Sequence, residues 1–419
     1  MKLFPLYLSV ILLFLVTDVY ALKIRSRLPV MVFNLDYQDM VSIKGDLRND
    51  NAGIKVAYLQ IIIQADSLLN MISHRVTDGD IPPTGDVHDF FTIGKYAFPN
   101  PKSPDGLPYI RKDGIVNPEA RSYKYDLGRY EETIARVNML ALAWFYSGDE
   151  KYAAKATEFL RVWFIDPETR MNPNFECAAA LPGVYNGMAI GIIFGAQLVN
   201  FLDHIQLLTL SDSWTETDNN ILKKWFKDYN GWLLTSKFGI EESRAKNNHI
   251  TWYLAQIAAG AIYNGDVELA KQMIDKGKIQ LFEQISMHST EFPDGSMPHE
   301  IKRNQSFLYS LFGLEGFCAL AGCGKAIGYD LWQYETEDGR GLKAAFQFLT
   351  PYLLEKQPWP YQSLIDPKLL MPKALNITRQ AAKTFKTPEL IEAQEYIQQY
   401  VTNNPAKWLE SKNHKKGYN

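Results

Sequence analysis

Apolar residues recur every three or four positions along most of the chain, which is the spacing of one face of an α-helix. In the segment 130–148, four such residues share a face: Ile134, Val137, Ala141 and Trp144. Gly148 suits the end of a helix, and Asp149 can cap the beginning of the next one. The pattern therefore predicts two amphipathic helices joined by a tight turn, which is an antiparallel helical hairpin.

The same pattern returns along the chain. It predicts further pairs at 187–208 with 215–235 and at 250–263 with 267–287. It also predicts single helices at 54–73, 307–320, 342–354 and 389–401. Successive hairpins without a strict repeat are typical of an all-α protein, either an open solenoid or a closed α/α toroid. The spacing alone does not distinguish the two.

One long stretch, 77–124, departs from this pattern. It is rich in Pro, Gly and aromatic residues and has no sustained period. Loops of this length inside compact domains tend to be functional. Nothing in it resembles a linker, so we predict a single catalytic domain over 22–410 and a polar, frayed tail over 411–419.

Composition allows a large core, because 46% of the 419 residues are hydrophobic and 13% are aromatic. The formal charge of −3 argues against nucleic acid as a partner. It does not exclude a polyanion that binds in a locally basic cleft.

Residues 1–21 have the pattern of a secretory signal peptide, with Lys2 before the apolar run 7–16 and a compact cleavage site at Ala21. The apolar run is too short to span a bilayer comfortably, and we expect no later run to be long enough. No cysteine follows that could carry a lipid. We predict export to the periplasm or the exterior, with no membrane anchor after signal cleavage.

The three cysteines, Cys177, Cys318 and Cys323, form an odd set and indicate buried small side chains rather than a disulfide framework. The seven histidines show no paired or clustered spacing. We therefore predict neither a metal nor a cofactor.

The densest polar cluster is the segment 247–253, which has the sequence NNHITWY and begins an apolar helical pattern. Its carboxamides and imidazole are neutral hydrogen-bonding groups that suit the carboxylate of a uronic acid. The alternative is structural, with Asn247 or Asn248 capping the helix and His249 exposed in its first turn.

A second segment, 292–312, has the sequence FPDGSMPHEIKRNQSFLYSLF. Together the two segments resemble the alginate lyase family of α/α-toroid polysaccharide lyases, in which an Asn-Asn-His block and a later Glu-x-x-Arg segment followed by a tyrosine form the active site. Three further stretches resemble the same family in order: 89–118, 146–153 and 163–173. The resemblance extends from about residue 88 to about residue 335.

The resemblance implies an α/α toroid that cleaves alginate by β-elimination. A base removes the proton on C5 of a uronate, and the oxygen on C4 leaves. Asn248, His249 and Arg303 are implied to stabilise the charge on the carboxylate. Tyr309 is implied to be the base and the acid on mannuronate, with its pKa lowered by a nearby arginine, whereas His249 is the candidate base for guluronate. The structural alternatives are an ion pair between Arg303 and Glu300 and a core position for Tyr309.

The chain departs from the family pattern in this region. Tyr309 follows Arg303 by six residues rather than about seven, which places the two on different faces of an ideal helix. Either the helix begins after Arg303, or Lys302 shares the role. Ser310 also occupies the position of a family histidine.

Other candidates for substrate binding are Asn247, Tyr253, Lys124, Tyr125 and Arg129, since aromatic faces suit sugar rings and cations suit carboxylates. For the tyrosines, packing in the core is an equal alternative.

Three other functions compete with a lyase acting on mannuronate-rich or mixed alginate. One is a lyase acting on glucuronan. Another is a hydrolase, which requires two carboxylates across the cleft, drawn from Glu241, Glu242 and Glu300. The third is a non-catalytic periplasmic glycan-binding protein.

Overall fold

The computed structural model describes residues 31–49 and 52–404. In this part of the chain the α-helices are α1 (Tyr37–Arg48), α2 (Ala52–Leu68), α3 (Asp126–Ser147), α4 (Glu150–Leu160), α5 (Gln197–Leu208), α6 (Glu216–Thr235), α7 (Lys237–Glu242), α8 (Asn248–Asn264), α9 (Val267–Gln284), α10 (Pro298–Ile301), α11 (Ser306–Ala326), α12 (Leu342–Leu353), α13 (Met371–Phe385) and α14 (Pro388–Asn403). The prediction of an all-α protein is confirmed.

The helices form an α/α toroid. Helices α3, α5, α8, α11 and α13 contact one another in that order and form the inner layer. Helices α4, α9 and α14 pack against α3, α8 and α13 as the outer members of hairpins. Helices α8 and α11 are buried over almost their whole length, as expected for helices with neighbours on all sides.

Local capping explains where the predicted hairpins turn. Gly148 ends α3 in the left-handed conformation with φ 73°, and the side chain of Asp149 accepts the Lys151 backbone N–H at 3.1 Å. Thr215 caps α6 with a capping box that includes Asp218. These two turns therefore lie where the sequence predicted them.

Several helices differ from the prediction. The segment 187–208 is a 3₁₀ helix over Ala189–Ala196 before α5 begins, and α6 packs mainly on α8. Helices α1, α7, α10 and α13 were not predicted. Of these, α1 buries only Met40, and α13 buries mostly small side chains, so neither has a stripe of large apolar residues.

The long segment before α3 contains short elements instead of helices, as predicted. Strand β1 (Phe91–Ile93) pairs in parallel with β4 (Cys177–Ala180), and β2 (Ala97–Phe98) pairs antiparallel with β3 (Ile110–Arg111). These pairings fold the segment onto one end of the toroid.

The predicted signal peptide 1–21 and tail 411–419 lie outside the described residues. Two described segments, Ala189–Leu208 and Ser306–Ala326, are long and apolar enough to cross a membrane, contrary to the sequence-based expectation. Their apolar windows are 72% and 83% buried inside the protein, which is the situation of core helices. The three cysteines are free and buried, as predicted.

A buried carboxylate in α5 fixes the beginning of the described chain. Asp203 accepts the backbone N–H groups of Phe33 at 2.6 Å, Asn34 at 2.8 Å and Leu35 at 2.9 Å. Burial raises the pKa of the Asp203 carboxyl to about 7, although the three hydrogen bonds oppose that shift. The folded protein therefore retains this proton at pH values where the unfolded chain releases it.

We expect Asp203→Asn to lower the free energy of unfolding by about 1–3 kcal/mol, because the new NH₂ group faces backbone donors. The pKa of Asp203 is raised above its ordinary value of 3.8, so its stabilising contribution is complete below about pH 4 and is lost as pH rises to about 7. Urea unfolding at about pH 5 and about pH 8 should show the larger wild-type advantage at pH 5.

The matched control is Asp228→Asn, which removes the exposed partner of Lys224. It should change stability by less than about 1 kcal/mol. If the wild type exceeded the Asp203 variant in unfolding free energy by more at about pH 8 than at about pH 5, the assignment would be contradicted.

Candidate active site

A cleft of about 540 Å³ opens where the long segment meets the beginnings of α8 and α11. Four regions of the chain, far apart in sequence, form its walls: 94–113, 179–194, 242–249 and 303–312. The polar and charged side chains that line it are Lys95, Tyr96, Arg111, Asp113, Glu242, Lys246, Asn247, Asn248, His249, Arg303 and Tyr309. The sequence-predicted catalytic residues Asn248, His249, Arg303 and Tyr309 are thus brought together.

Asn247 and Asn248 have different contacts. Asn247 is the N-cap of α8, where its side chain accepts the His249 backbone N–H at 3.4 Å, and it also lines the cleft. Asn248 is almost completely buried. Its backbone N–H and its side-chain amide both donate to Glu300 Oε1, at 2.7 Å and 2.9 Å. Asn247 therefore caps the helix, as the structural alternative predicted, and it also lines the cleft.

Glu300 is the fully buried carboxylate behind Asn248. Burial raises its pKa, whereas the hydrogen bonds from Asn248 and the charge of Arg303 lower it. Its Oε2 has no hydrogen-bond partner among the described residues. Glu300 therefore holds Asn248 in place and does not form the close ion pair with Arg303 considered from sequence.

His249 is held by a second carboxylate. Its Nδ1 lies 2.5 Å from Oε1 of Glu242, the last residue of α7. The Glu242 side chain is 3% exposed and that of His249 is 20% exposed. The imidazole thus has one nitrogen bonded behind the cleft wall and the other, Nε2, left for the cleft.

Arg303 lies in the turn between α10 and α11, because α11 begins only at Ser306. Its guanidinium bonds the Asp113 carboxylate through Nη2 at 2.9 Å and Nε at 3.4 Å. The guanidinium carbon lies 4.0 Å from the centre of the Tyr309 ring. The helix begins after Arg303, so the six-residue spacing does not separate Arg303 from Tyr309.

Lys302 points elsewhere. Its side chain is 60% exposed, pairs with Glu291 at 3.3 Å and lies 4.5 Å from the Phe292 ring centre. It does not line the cleft. These contacts give no support to the alternative in which Lys302 shares the role of Arg303 beside Tyr309. Ser310, at the position of the family histidine, is buried and also does not line the cleft.

Tyr309 shares a hydrogen bond with Tyr96, with the two phenolic oxygens 2.5 Å apart. Burial raises the pKa of Tyr309, and Tyr96 raises it further, whereas the nearby Arg303 lowers it. Burial also raises the pKa of Tyr96. The direction is opposite to the lowering of the Tyr309 pKa expected from sequence, because loss of hydration outweighs the attraction of one guanidinium.

Charge in the cleft is biased towards cations. Lys95, Arg111, Lys246 and Arg303 line it, against the carboxylates Asp113 and Glu242. A chain with a formal charge of −3 therefore presents a locally basic surface here, which suits an anionic ligand.

The other predicted binding residues lie outside the cleft lining. Tyr253 is buried and donates its hydroxyl to the Leu233 carbonyl at 2.9 Å. Arg129 is buried against Asp126, and the Tyr125 ring is buried beneath Lys124. Lys124 is half-exposed and lies 4.0 Å from both Asp80 and Glu119. These contacts do not support substrate binding by any of the four.

Sequence reasoning missed the residues that hold the predicted ones in place: Tyr96, Asp113, Glu242 and Glu300. Tyr96 and Asp113 lie in stretches that carry the family resemblance, and Glu242 precedes His249 by seven residues. From sequence, Glu242 was considered only as a hydrolase carboxylate, and Glu300 as a hydrolase carboxylate or an ion-pair partner of Arg303. In the described part of the chain, no group of three His, Cys, Asp or Glu side chains is placed to hold a metal.

Comparisons with known proteins identify the family. The alginate lyase family model matches residues 77–359. A crystal structure of an alginate lyase from Bacteroides ovatus has 32% sequence identity and a TM-score of 0.81, covering 88% of this chain and 95% of its own. A search of curated protein sequences gave no match.

A more distant structure shows the fold. Alginate lyase A1-III, as a histidine-to-alanine variant complexed with a tetrasaccharide, has 16% identity and a TM-score of 0.51, covering 80% of this chain and 88% of its own. The unmutated A1-III from Sphingomonas species A1 has 17% identity and a TM-score of 0.48, covering 80% and 89%. On the family match and the Bacteroides structure, the chain belongs to the alginate lyase family and is a polysaccharide lyase.

Proposed function

We propose that the chain cleaves mannuronate-rich or mixed alginate by β-elimination, with Asn248, His249 and Arg303 around the uronate carboxylate and Tyr309 transferring protons. The observation that carries this proposal is the convergence of these four side chains in one basic cleft. The tetrasaccharide bound to the related A1-III supports an oligosaccharide as the ligand.

The carboxylate is the group that must be stabilised, because charge moves onto it when the C5 proton leaves. Asn248 donates one side-chain N–H to Glu300, and Arg303 donates from Nε and Nη2 to Asp113. The second amide N–H and the Nη1 group are the donors that remain for the substrate. Because Glu300 and Asp113 fix both side chains, these donors need little reorganisation during the reaction.

Tyr309 begins as a neutral phenol, because burial raises its pKa. In this form it is ready to protonate the oxygen that leaves C4. To act as the base on mannuronate, it must first give up its own proton. That proton leaves to solvent. The Tyr96 hydroxyl 2.5 Å away then donates a hydrogen bond to the phenolate, and the neighbouring Arg303 stabilises its charge.

The competing functions have less support from the contacts. The cleft carboxylates are already engaged, Asp113 by Arg303 and Glu242 by His249, so no free pair faces a water as a hydrolase requires. A glycan-binding protein needs no group that transfers protons, so the position of Tyr309 beside the Arg303 guanidinium favours an enzyme. In glucuronan, as in mannuronate, the C5 proton and the leaving oxygen on C4 lie on the same face of the ring. Glucuronan is therefore the second candidate substrate.

An absorbance assay on separated mannuronate, guluronate and glucuronan polymers tests the proposal. We expect mannuronate polymer to give the ultraviolet signal of a conjugated double bond, because β-elimination leaves an unsaturated uronate. New reducing ends without that signal would indicate hydrolysis. Binding of all three polymers without turnover would indicate a glycan-binding protein.

We expect Tyr309→Phe to lower kcat on mannuronate polymer by at least about 10², because only the proton-transferring oxygen is lost while the ring still packs against Arg303. KM should change little. Initial rates at saturating substrate measure the effect. Tyr146→Phe, a tyrosine that does not line the cleft, is the matched control and should retain wild-type kcat. A folded Tyr309 variant with normal turnover would rule out Tyr309 as the acid or base.

We expect His249→Asn to retain part of the mannuronate activity and to abolish any cleavage of guluronate. Guluronate has its C5 proton on the face opposite Tyr309, so it needs His249 as a separate base, whereas asparagine supplies only a donor. Rates on both pure polymers measure the difference. The exposed His299→Asn serves as control. Equal proportional losses on the two polymers would show that His249 has no face-specific role.

A further inference from the structure

We propose that Glu242 is a positioning residue that keeps the proton of neutral His249 on Nδ1, so that Nε2 faces the substrate as a proton acceptor. The inference rests on the proposed function for its catalytic meaning. It is carried by the 2.5 Å contact between Glu242 Oε1 and His249 Nδ1. Nε2 has no hydrogen-bond partner among the described residues, and His249 lines the cleft.

Glu242 is held rigidly enough for this role. It ends α7, whose first turn is capped by Ser236 through the Gly239 N–H at 3.0 Å. A Cβ atom at Gly239 would lie 1.9 Å from the Leu233 carbonyl oxygen, so α7 packs directly on the end of α6. The same carbonyl accepts the Tyr253 hydroxyl at 2.9 Å. Tyr253 thus ties α8, which carries His249, to the turn that positions Glu242.

The chemistry follows from which nitrogen carries the proton. A carboxylate that accepts a hydrogen bond from Nδ1–H leaves the Nε2 lone pair free, because a neutral imidazole has only one N–H. Without the carboxylate, the proton can move to Nε2 and the acceptor is lost. Once Nε2 takes a proton, the nearby negative charge stabilises the resulting imidazolium.

With Nε2 as a proton acceptor, His249 is suited to be the base on guluronate, whose C5 proton lies on the face opposite Tyr309. On guluronate, Nε2 takes the C5 proton, the C5–H electrons form the C4–C5 double bond, the C4–O bond breaks, and Tyr309 gives its proton to the leaving oxygen. Neutral His249 cannot also donate to the carboxylate, which is then left to Asn248 and Arg303. On mannuronate, His249 contributes a donor only when it is doubly protonated.

The direct test is the tautomer of His249, observed by two-bond ¹H–¹⁵N correlation spectra of the full chain labelled at histidine. Comparison with His249→Asn assigns the signal among the seven histidines. At a pH where the imidazole is neutral, the wild type should show the proton on Nδ1. Glu242→Leu should move it to Nε2, whereas Glu242→Gln should keep it on Nδ1, because the new carbonyl still accepts the hydrogen bond.

Rates on guluronate polymer give the second readout. Glu242→Leu should lower kcat by about 10² or more with KM within about threefold, and Glu242→Gln should recover part of that loss. Glu241→Leu is the matched control, because Glu241 is exposed on the same turn and does not line the cleft. It should leave kcat unchanged.

A wild-type proton on Nε2, or an unchanged tautomer in Glu242→Leu, would overturn the inference. If the leucine variant does not fold, the wild-type and glutamine spectra still decide it. The spectra need no substrate. An enzyme with the expected tautomer that cleaves no uronate polymer would therefore refute the proposed function and leave the positioning role intact.

Discussion

The cleft depends on one buried carboxylate. Glu300 on α10 accepts both the backbone and the side-chain N–H of Asn248 at the beginning of α8, across 52 positions of sequence. A buried acceptor that loses such partners costs about 1–3 kcal/mol or more, so the two segments are held in one relative position. That position places the turn after α10, and with it Arg303, beside the Asn-Asn-His block.

The other functional side chains are fixed in the same manner, each by a partner from another element. Asp113 holds Arg303, Glu242 holds His249 and Tyr96 bonds Tyr309. The turn around Arg303 is tied further to the long segment, since Asn304 donates to the Asp113 carbonyl at 2.6 Å. The acidic groups around the cleft thus orient hydrogen-bond donors. The exposed cations Arg111 and Lys246 remain to attract an anionic polymer.

Desolvation sets the protonation states in this cleft. Burial raises the pKa values of Tyr309, Tyr96 and Glu300 together, and the single guanidinium of Arg303 does not reverse the trend. The cleft therefore holds neutral phenols next to a cation. In the proposed reaction the base is either Tyr309, once it has lost its proton, or the imidazole of His249.

The sequence by itself determined the helical periods, the turn at Gly148 and Asp149, the family, and the catalytic candidates, because these depend on local spacing and residue chemistry. Only the tertiary structure decided which side chains face the cleft. Arg303 and Asp113 are 190 positions apart and the two tyrosines 213. Lys302 points away because α11 begins at Ser306, and Tyr253 and Arg129 turn inward because their helix faces pack against neighbours. Side-chain direction depends on what covers a helix, which local sequence does not specify, and at α11 also on a beginning where the N-cap residue Gln305 makes no side-chain capping bond.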